Sequence, residues 1–123
     1  MPADDRRSYE RLSAAHVTAS IQPAAGGLFG RRRKPHACTV LDLTRTGAGI
    51  LSTRGFDPMS GIRLTLTMPD GLHVRVNGTV RFTNPVDADH YRMGIHFDSE
   101  ANSDETLRTL ILMENRLLGT QLD

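Results

Sequence analysis

Apolar and polar residues alternate with a period of two through the middle of the chain, the pattern of strands buried on one face. Ile62, Leu64, Leu66 and Met68 alternate with Arg63, Thr65 and Thr67. Leu72, Val74 and Val76 alternate with His73, Arg75 and Asn77, and the same apolar face continues past Gly78 through Val80 and Phe82. Tyr91, Met93, Ile95 and Phe97 alternate with Arg92, Gly94 and His96. Pro69-Asp70-Gly71 has tight-turn chemistry, so the first two runs form a hairpin. Asn84 to Asp89 makes a longer polar hairpin loop. Three less regular strands come earlier: His16 to Ile21, Ala37 to Leu43, and Gly49 to Ser52, the last entered through a turn at Arg45-Thr46-Gly47. Six strands are enough to close a small barrel and leave no free edge. Gly78 inside a long strand predicts a bulge or sharp bend.

The period changes near the C-terminus. Leu107, Leu110, Ile111, Leu117 and Leu118 fall on one helical face. Asn102 and Glu105 have capping-box spacing, Asp104 and Glu105 suit the positive helix N-terminus, and Gly119 is a stop signal. Glu114 falls on the apolar face and is expected at its edge, reaching water. A helix this apolar must pack on something, and the open end of the barrel is the expected place. The predicted fold class is therefore mainly β: a six-stranded antiparallel β-barrel with a C-terminal α-helix and a flexible N-terminal arm. The arm occupies residues 1–12, and the barrel with its helix occupies residues 13–119.

A chain of 123 residues with 38% hydrophobic content is expected to form one domain. Aromatics are 5% of the chain and Trp is absent, so the core must be mainly aliphatic. The same scarcity argues against a surface for stacking single-stranded bases, which needs several exposed rings. Net charge is only +1, but the cations are clustered: Arg6, Arg7 and Arg11 at the start, then Arg31, Arg32, Arg33 and Lys34. The second cluster lies in a Gly- and Pro-rich loop, Gln22 to Pro35, read as a solvated basic loop, the alternative being extra phosphate contacts or a partner surface. Lys34 is the only lysine. Arginine presents a planar fork that grips phosphate, pairs with the O6/N7 edge of guanine, or lies flat on a ring. Cys38 is the only cysteine, which excludes an internal disulfide and fits a reducing compartment. No apolar stretch follows Met1, so no signal peptide is expected, and no segment approaches a membrane span. The expected location is cytoplasmic.

Two short motifs carry candidate chemistry. Arg7-Ser8-Tyr9-Glu10-Arg11, with Arg6 before it, lies in an arm without apolar periodicity. Asp42-Leu43-Thr44-Arg45-Thr46-Gly47 runs from the end of one strand into the next turn. Asp42 and Thr44 are two apart on a strand, so their side chains point the same way. Gly47 in the turn permits positive φ and close approach of a ligand to the backbone. Asp42 and Thr44 either cap their own turn or face a ligand. An arginine cluster opposite a carboxylate suits a guanine nucleotide: the forks take phosphate oxygens and the O6/N7 edge, while the carboxylate accepts from N1 and N2.

The order and separation of these motifs, followed by an all-β pattern, resemble the PilZ domain, a bacterial receptor module for cyclic di-GMP. Its motifs are RxxxR followed by D/N-x-S-x-x-G, and Thr44 stands here in the serine place. The stretch Arg92-Met93-Gly94-Ile95-His96-Phe97 is similar to the family's last strand; Arg92 itself is read as an exposed strand arginine, the alternative being a contact with the ligand. The resemblance implies that Arg6, Arg7 and Arg11 grip phosphates and guanine edges, and that Asp42, Thr44 and Gly47 bind guanine. With nothing apolar to tie it down, the arm is expected to be mobile without ligand, to be clamped onto the barrel by cyclic di-GMP, and thereby to change the surface seen by a downstream effector protein.

Other functions fit less well. A ligand-free PilZ-like protein-interaction adaptor is the alternative, disfavoured because the arginine motif is kept. A nucleic-acid polymer is disfavoured by the near-neutral charge and few rings. His16, His36, His73, His90 and His96 lack metal-ligand spacing, and no nucleophile elbow or Walker-type glycine loop occurs. Neither an enzyme, nor a metal site, nor a cofactor other than the cyclic dinucleotide ligand is expected, and no membrane insertion.

Overall fold

The computed structural model describes residues 17–24 and 34–122, with side chains through Gly119. Strands β1 (Thr18–Pro23), β2 (His36–Thr44), β3 (Gly47–Ser52), β4 (Gly61–Thr67), β5 (His73–Pro85) and β6 (Tyr91–Phe97) lead through a short 3-10 turn at Ser99–Ala101 to helix α1 (Asp104–Leu122). The strands close into one barrel in the order β1-β2-β3-β6-β5-β4, and every pairing is antiparallel.

Alternation places one face of each strand inside. Ile21, Val40, Ile50, Ile62, Leu64, Leu66, Val76, Val80 and Met93 are all fully buried. Each such aliphatic side chain contributes about 1.5–3 kcal/mol when taken out of water, so closure of the barrel rather than any one pair dominates its stability. The core is aliphatic as composition requires, with Phe56 and Phe97 its two buried rings. The β4–β5 hairpin forms at Pro69-Asp70-Gly71. Gly71 takes a φ of +95° there, and Asp70 Oδ1 accepts the Leu72 N–H at 3.0 Å. A left-handed residue is cheap only for glycine, which explains its place in this turn.

No bulge falls at Gly78. Its pairings with Ile62 and Phe97 are regular, and an added Cβ would come 2.6 Å from the His96 carbonyl oxygen. The missing side chain serves close approach of β5 and β6, and the strand irregularity falls later, between Val80 and Phe82.

Helix α1 covers one end of the barrel, packing on β2 and β5. Leu110, Met113 and Leu117 form its buried stripe, with Leu107 partly buried. Leu118 is 42% exposed rather than part of that face, because one residue beyond Leu117 rotates about 100° away from the contact. The helix cap is Ser103, not Asn102. Ser103 Oγ accepts the Thr106 N–H at 3.1 Å, and the Ser103 carbonyl accepts the Leu107 N–H at 3.0 Å. The helix also runs through Gly119 to Leu122; a glycine only lowers helix propensity unless the chain turns left-handed there. Arg116 pairs with Asp70 of the β4–β5 turn.

Asn102 has a different task. Its Oδ1 accepts the Asn77 N–H at 2.8 Å, and its Nδ2 donates to the carbonyls of Asn77 at 2.9 Å and Asp98 at 2.7 Å. Asn77 Nδ2 returns a bond to the Ala101 carbonyl at 2.9 Å. Asn102 thus pairs with β5 like a further strand residue and fixes how the chain leaves β6 for α1. Replacing Asn102 with Ala strands a half-buried amide of β5, at about 2 kcal/mol. Urea denaturation of Asn102→Ala is expected to show that loss with an unchanged m-value.

Candidate functional site

Two strands each carry one extra residue. Val40 pairs with Ile50 and Asp42 with Gly49, which leaves Leu41 of β2 unpaired. Val80 pairs with Ile95 and Phe82 with Gly94, which leaves Arg81 of β5 unpaired. Gly49 pairs directly with Gly94. The result is one row across four strands: Asp42, Gly49, Gly94, Phe82. Bulges of this kind re-aim side chains. Here Asp42 and Phe82 both leave the interior and lean toward each other over a floor of two glycines.

The glycines are required by that geometry. A Cβ on Gly49 would lie 2.9 Å from Asp42 Oδ2, and one on Gly94 would run into the Phe82 ring. Asp42 Oδ1 accepts the Gly49 N–H at 2.9 Å, so the carboxylate is held across the floor with its second oxygen uncommitted to that bond. The row sits in an open trough of about 390 Å³, also lined by Thr44, Thr46, Gly47, Arg81, Arg92 and His96. Neither Arg81 nor Arg92 has a carboxylate partner among the described residues. A larger depression of about 450 Å³, lined by His96, Asp98, Ser99, Glu100 and Ala101, shares only His96 with it. Two carboxylates there disfavour an anion, whereas two unpaired guanidinium groups in the trough favour one.

The turn that carries Thr44 is fastened to α1. Glu114 accepts the Arg45 backbone N–H at 2.9 Å and the Arg45 Nε–H at 2.8 Å, and the guanidinium Nη2 lies 2.7 Å from the same carboxylate. Glu114 therefore does not reach for water from the helix edge, as its position on an apolar face suggested. It closes the turn between β2 and β3. Burial alone would raise the pKa of this carboxyl; the Arg45 amide, guanidinium hydrogen bond and charge outweigh that and hold it below its ordinary value.

Of the residues singled out from the sequence, Asp42, Thr44 and Gly47 line one trough. Arg6, Arg7 and Arg11 lie outside the described residues. Thr44 Oγ1 accepts the Thr46 N–H and donates to the Gly47 carbonyl, both at 3.3 Å, so its hydroxyl braces its own turn. Asp42 instead reaches across to β3. Gly47 opens β3 without a positive φ; the need for glycine is that a Cβ would meet the Ile95 carbonyl of β6. Sequence reasoning placed Phe82 on the core face, preferred an exposed strand arginine to a ligand contact for Arg92, and passed over Arg81 and Gly49. Glycines at outward strand positions were the signal for the floor. A bulge leaves no such mark.

The fold is a closed, purely antiparallel β-barrel with a helix over one end, and the site is an arginine-flanked trough on its wall. The PilZ domain family model matches residues 5–113, and the chain belongs to that family. The barrel is similar to the solved structure of the Bacillus subtilis inhibitor of motility (MotI/DgrA), with a TM-score of 0.62 at 14% identity over 89% of this chain and 48% of that one. The chain thus spans about half the length of that protein, and the likeness is one of fold. No curated protein matches the chain.

Burial pushes the Cys38 thiol up to about 11. At pH 8 it holds about a hundredfold less thiolate than an ordinary cysteine, and labelling of the folded protein by a thiol reagent is expected to be slowed to match. The depressed Glu114 carboxyl has a second consequence. Its stabilisation is complete above the ordinary value of 4.5 and is lost as pH falls through the lower folded value. Glu114→Gln is expected to cost about 1 kcal/mol at pH 7 and to flatten the acid limb of stability, as read by urea melts between pH 2.5 and 7.

Proposed function

We propose that this chain is a cyclic di-GMP receptor that passes the signal to a partner protein. What supports the reading is the convergence of Asp42, Thr44 and Gly47 with Arg81 and Arg92 in one trough, in a chain that belongs to the PilZ family. A cyclic dinucleotide carries two phosphodiesters for the guanidinium forks and guanine N–H edges for the Asp42 carboxylate.

The entry point of β1 supports the same reading. Thr18 pairs with Thr39, three residues from Asp42 along β2, or about 10 Å. Arg11 precedes Val17 by six residues, which can span up to about 20 Å. The chain ahead of β1 is therefore long enough for Arg7 and Arg11 to meet a ligand held at Asp42. Binding neutralises a cationic arm and draws it to the barrel, which changes the surface offered to a partner. No described helix is long and apolar enough to cross a membrane, and the partner is read as a protein. A cytoplasmic location belongs to this reading, because the messenger is made and read inside the cell.

Arg7→Ala combined with Arg11→Ala removes two charge-assisted contacts, each worth about 1.5–3 kcal/mol. Calorimetric affinity for cyclic di-GMP is expected to fall at least a hundredfold while the thermal melt stays where it was. Binding should also weaken as salt rises. A double variant that binds like the parent would defeat this site. Absence of any heat with the parent protein would favour a ligand-free adaptor.

A further inference from the structure

We propose that Glu114 is a positioning residue for the trough, acting through the Arg45 backbone amide on the turn that presents Thr44, Thr46 and Gly47. The inference rests on the receptor reading and extends its site onto α1. Thr44 pairs with Gly47, so the loop between β2 and β3 is only Arg45 and Thr46. Two-residue hairpin loops favour turns whose left-handed residues match the twist of the strands. Neither Arg45 nor Thr46 is left-handed: among the described residues, positive φ occurs at Met59 and Gly71 alone. Such a loop, left to itself, splays the strands it joins. Its form therefore depends on bonds from outside the hairpin.

Two bonds supply that support from different elements. The Thr46 carbonyl accepts the Phe97 N–H at 2.9 Å, which ties the turn to the end of β6. Glu114 Oε2 accepts the Arg45 N–H at 2.9 Å, which ties it to α1. The turn's own contact, Thr46 N–H to Thr44 Oγ1, is longer at 3.3 Å. Glu114 Oε1 meanwhile takes the Arg45 guanidinium through Nε and Nη2. One carboxylate thus grips both the backbone and the side chain of one turn residue. Thr44, Thr46 and Gly47 line the trough, and Arg45 between them does not. A ligand arriving there meets a turn already in place and does not have to order it.

Charge alone argues for the opposite effect. Glu114 is an anion fastened to a turn that receives an anionic ligand, and it neutralises the adjacent Arg45. On electrostatic grounds its removal frees a guanidinium and tightens binding. The direction of the change therefore separates positioning from simple charge, and a stability control separates it from general loosening. Cyclic di-GMP affinity is measured by calorimetry at constant salt, below the melting range, for the parent, Glu114→Ala, Glu114→Gln and Val74→Ala. Ala is the best helix former and suits this position. Gln keeps a carbonyl oxygen for the Arg45 N–H but gives up the charge. Val74→Ala truncates a buried core residue of β5 that makes no bond to the turn. The expected result is a roughly tenfold loss for Glu114→Ala, recovery of most of that loss in Glu114→Gln, and parental affinity in Val74→Ala despite its lower melting temperature. Parental or tighter binding by Glu114→Ala, or an equal loss in Val74→Ala, overturns the positioning role and leaves the receptor reading standing. A parent protein that binds no cyclic di-GMP overturns both.

Discussion

Leu41 in β2 and Arg81 in β5 are the two residues that the strand ladders cannot pair, and the character of the trough depends on them. A closed barrel of this size has an interior wide enough only for side chains. Strict alternation would commit every second residue of each strand to that interior. One extra residue reverses the facing from that point on. In β2 this sets Asp42 and Thr44 outward while Leu43 stays buried. In β5 it sets Phe82 outward after a run of buried valines. Because the bulged strands flank β3 and β6, the released side chains meet over Gly49 and Gly94. The polar site is thus obtained without opening the core.

The rest of the architecture holds that row in place. Glu114 of α1 fastens the β2–β3 turn through both the backbone and side chain of Arg45. Asn102 binds β5 through Asn77, and Arg116 joins α1 to the β4–β5 turn. The helix is therefore more than a lid over apolar residues. It is tied at its polar edge to the segment that carries Thr44, so a load on the trough and a load on α1 meet at one ion pair.

Much of the barrel was legible beforehand, because alternating residues such as Ile62, Leu64 and Leu66 have one physical solution, a strand with one wet face. The β4–β5 turn was legible because Gly71 sits where a left-handed residue is needed. The errors share a cause. Gly78, Asn102, Gly119 and Glu114 were each read by local rule, and Gly78, Asn102 and Glu114 answer instead to a distant neighbour: the His96 carbonyl, the Asn77 backbone and Arg45. Phe82 failed for the same reason, since the length of β5 relative to β6 is invisible to either strand alone.

Local order determined the period of each segment, the glycine turn at Gly71, and the presence of acid, hydroxyl and glycine side by side at Asp42 to Gly47. Those properties depend on residues within a few positions of each other. Tertiary structure alone decided that Asp42 faces Phe82, that Gly49 lies against Gly94, and that Glu114 closes a turn 69 residues away. These are outcomes of register and closure, where one unpaired residue inverts every later side chain, and no local propensity encodes them.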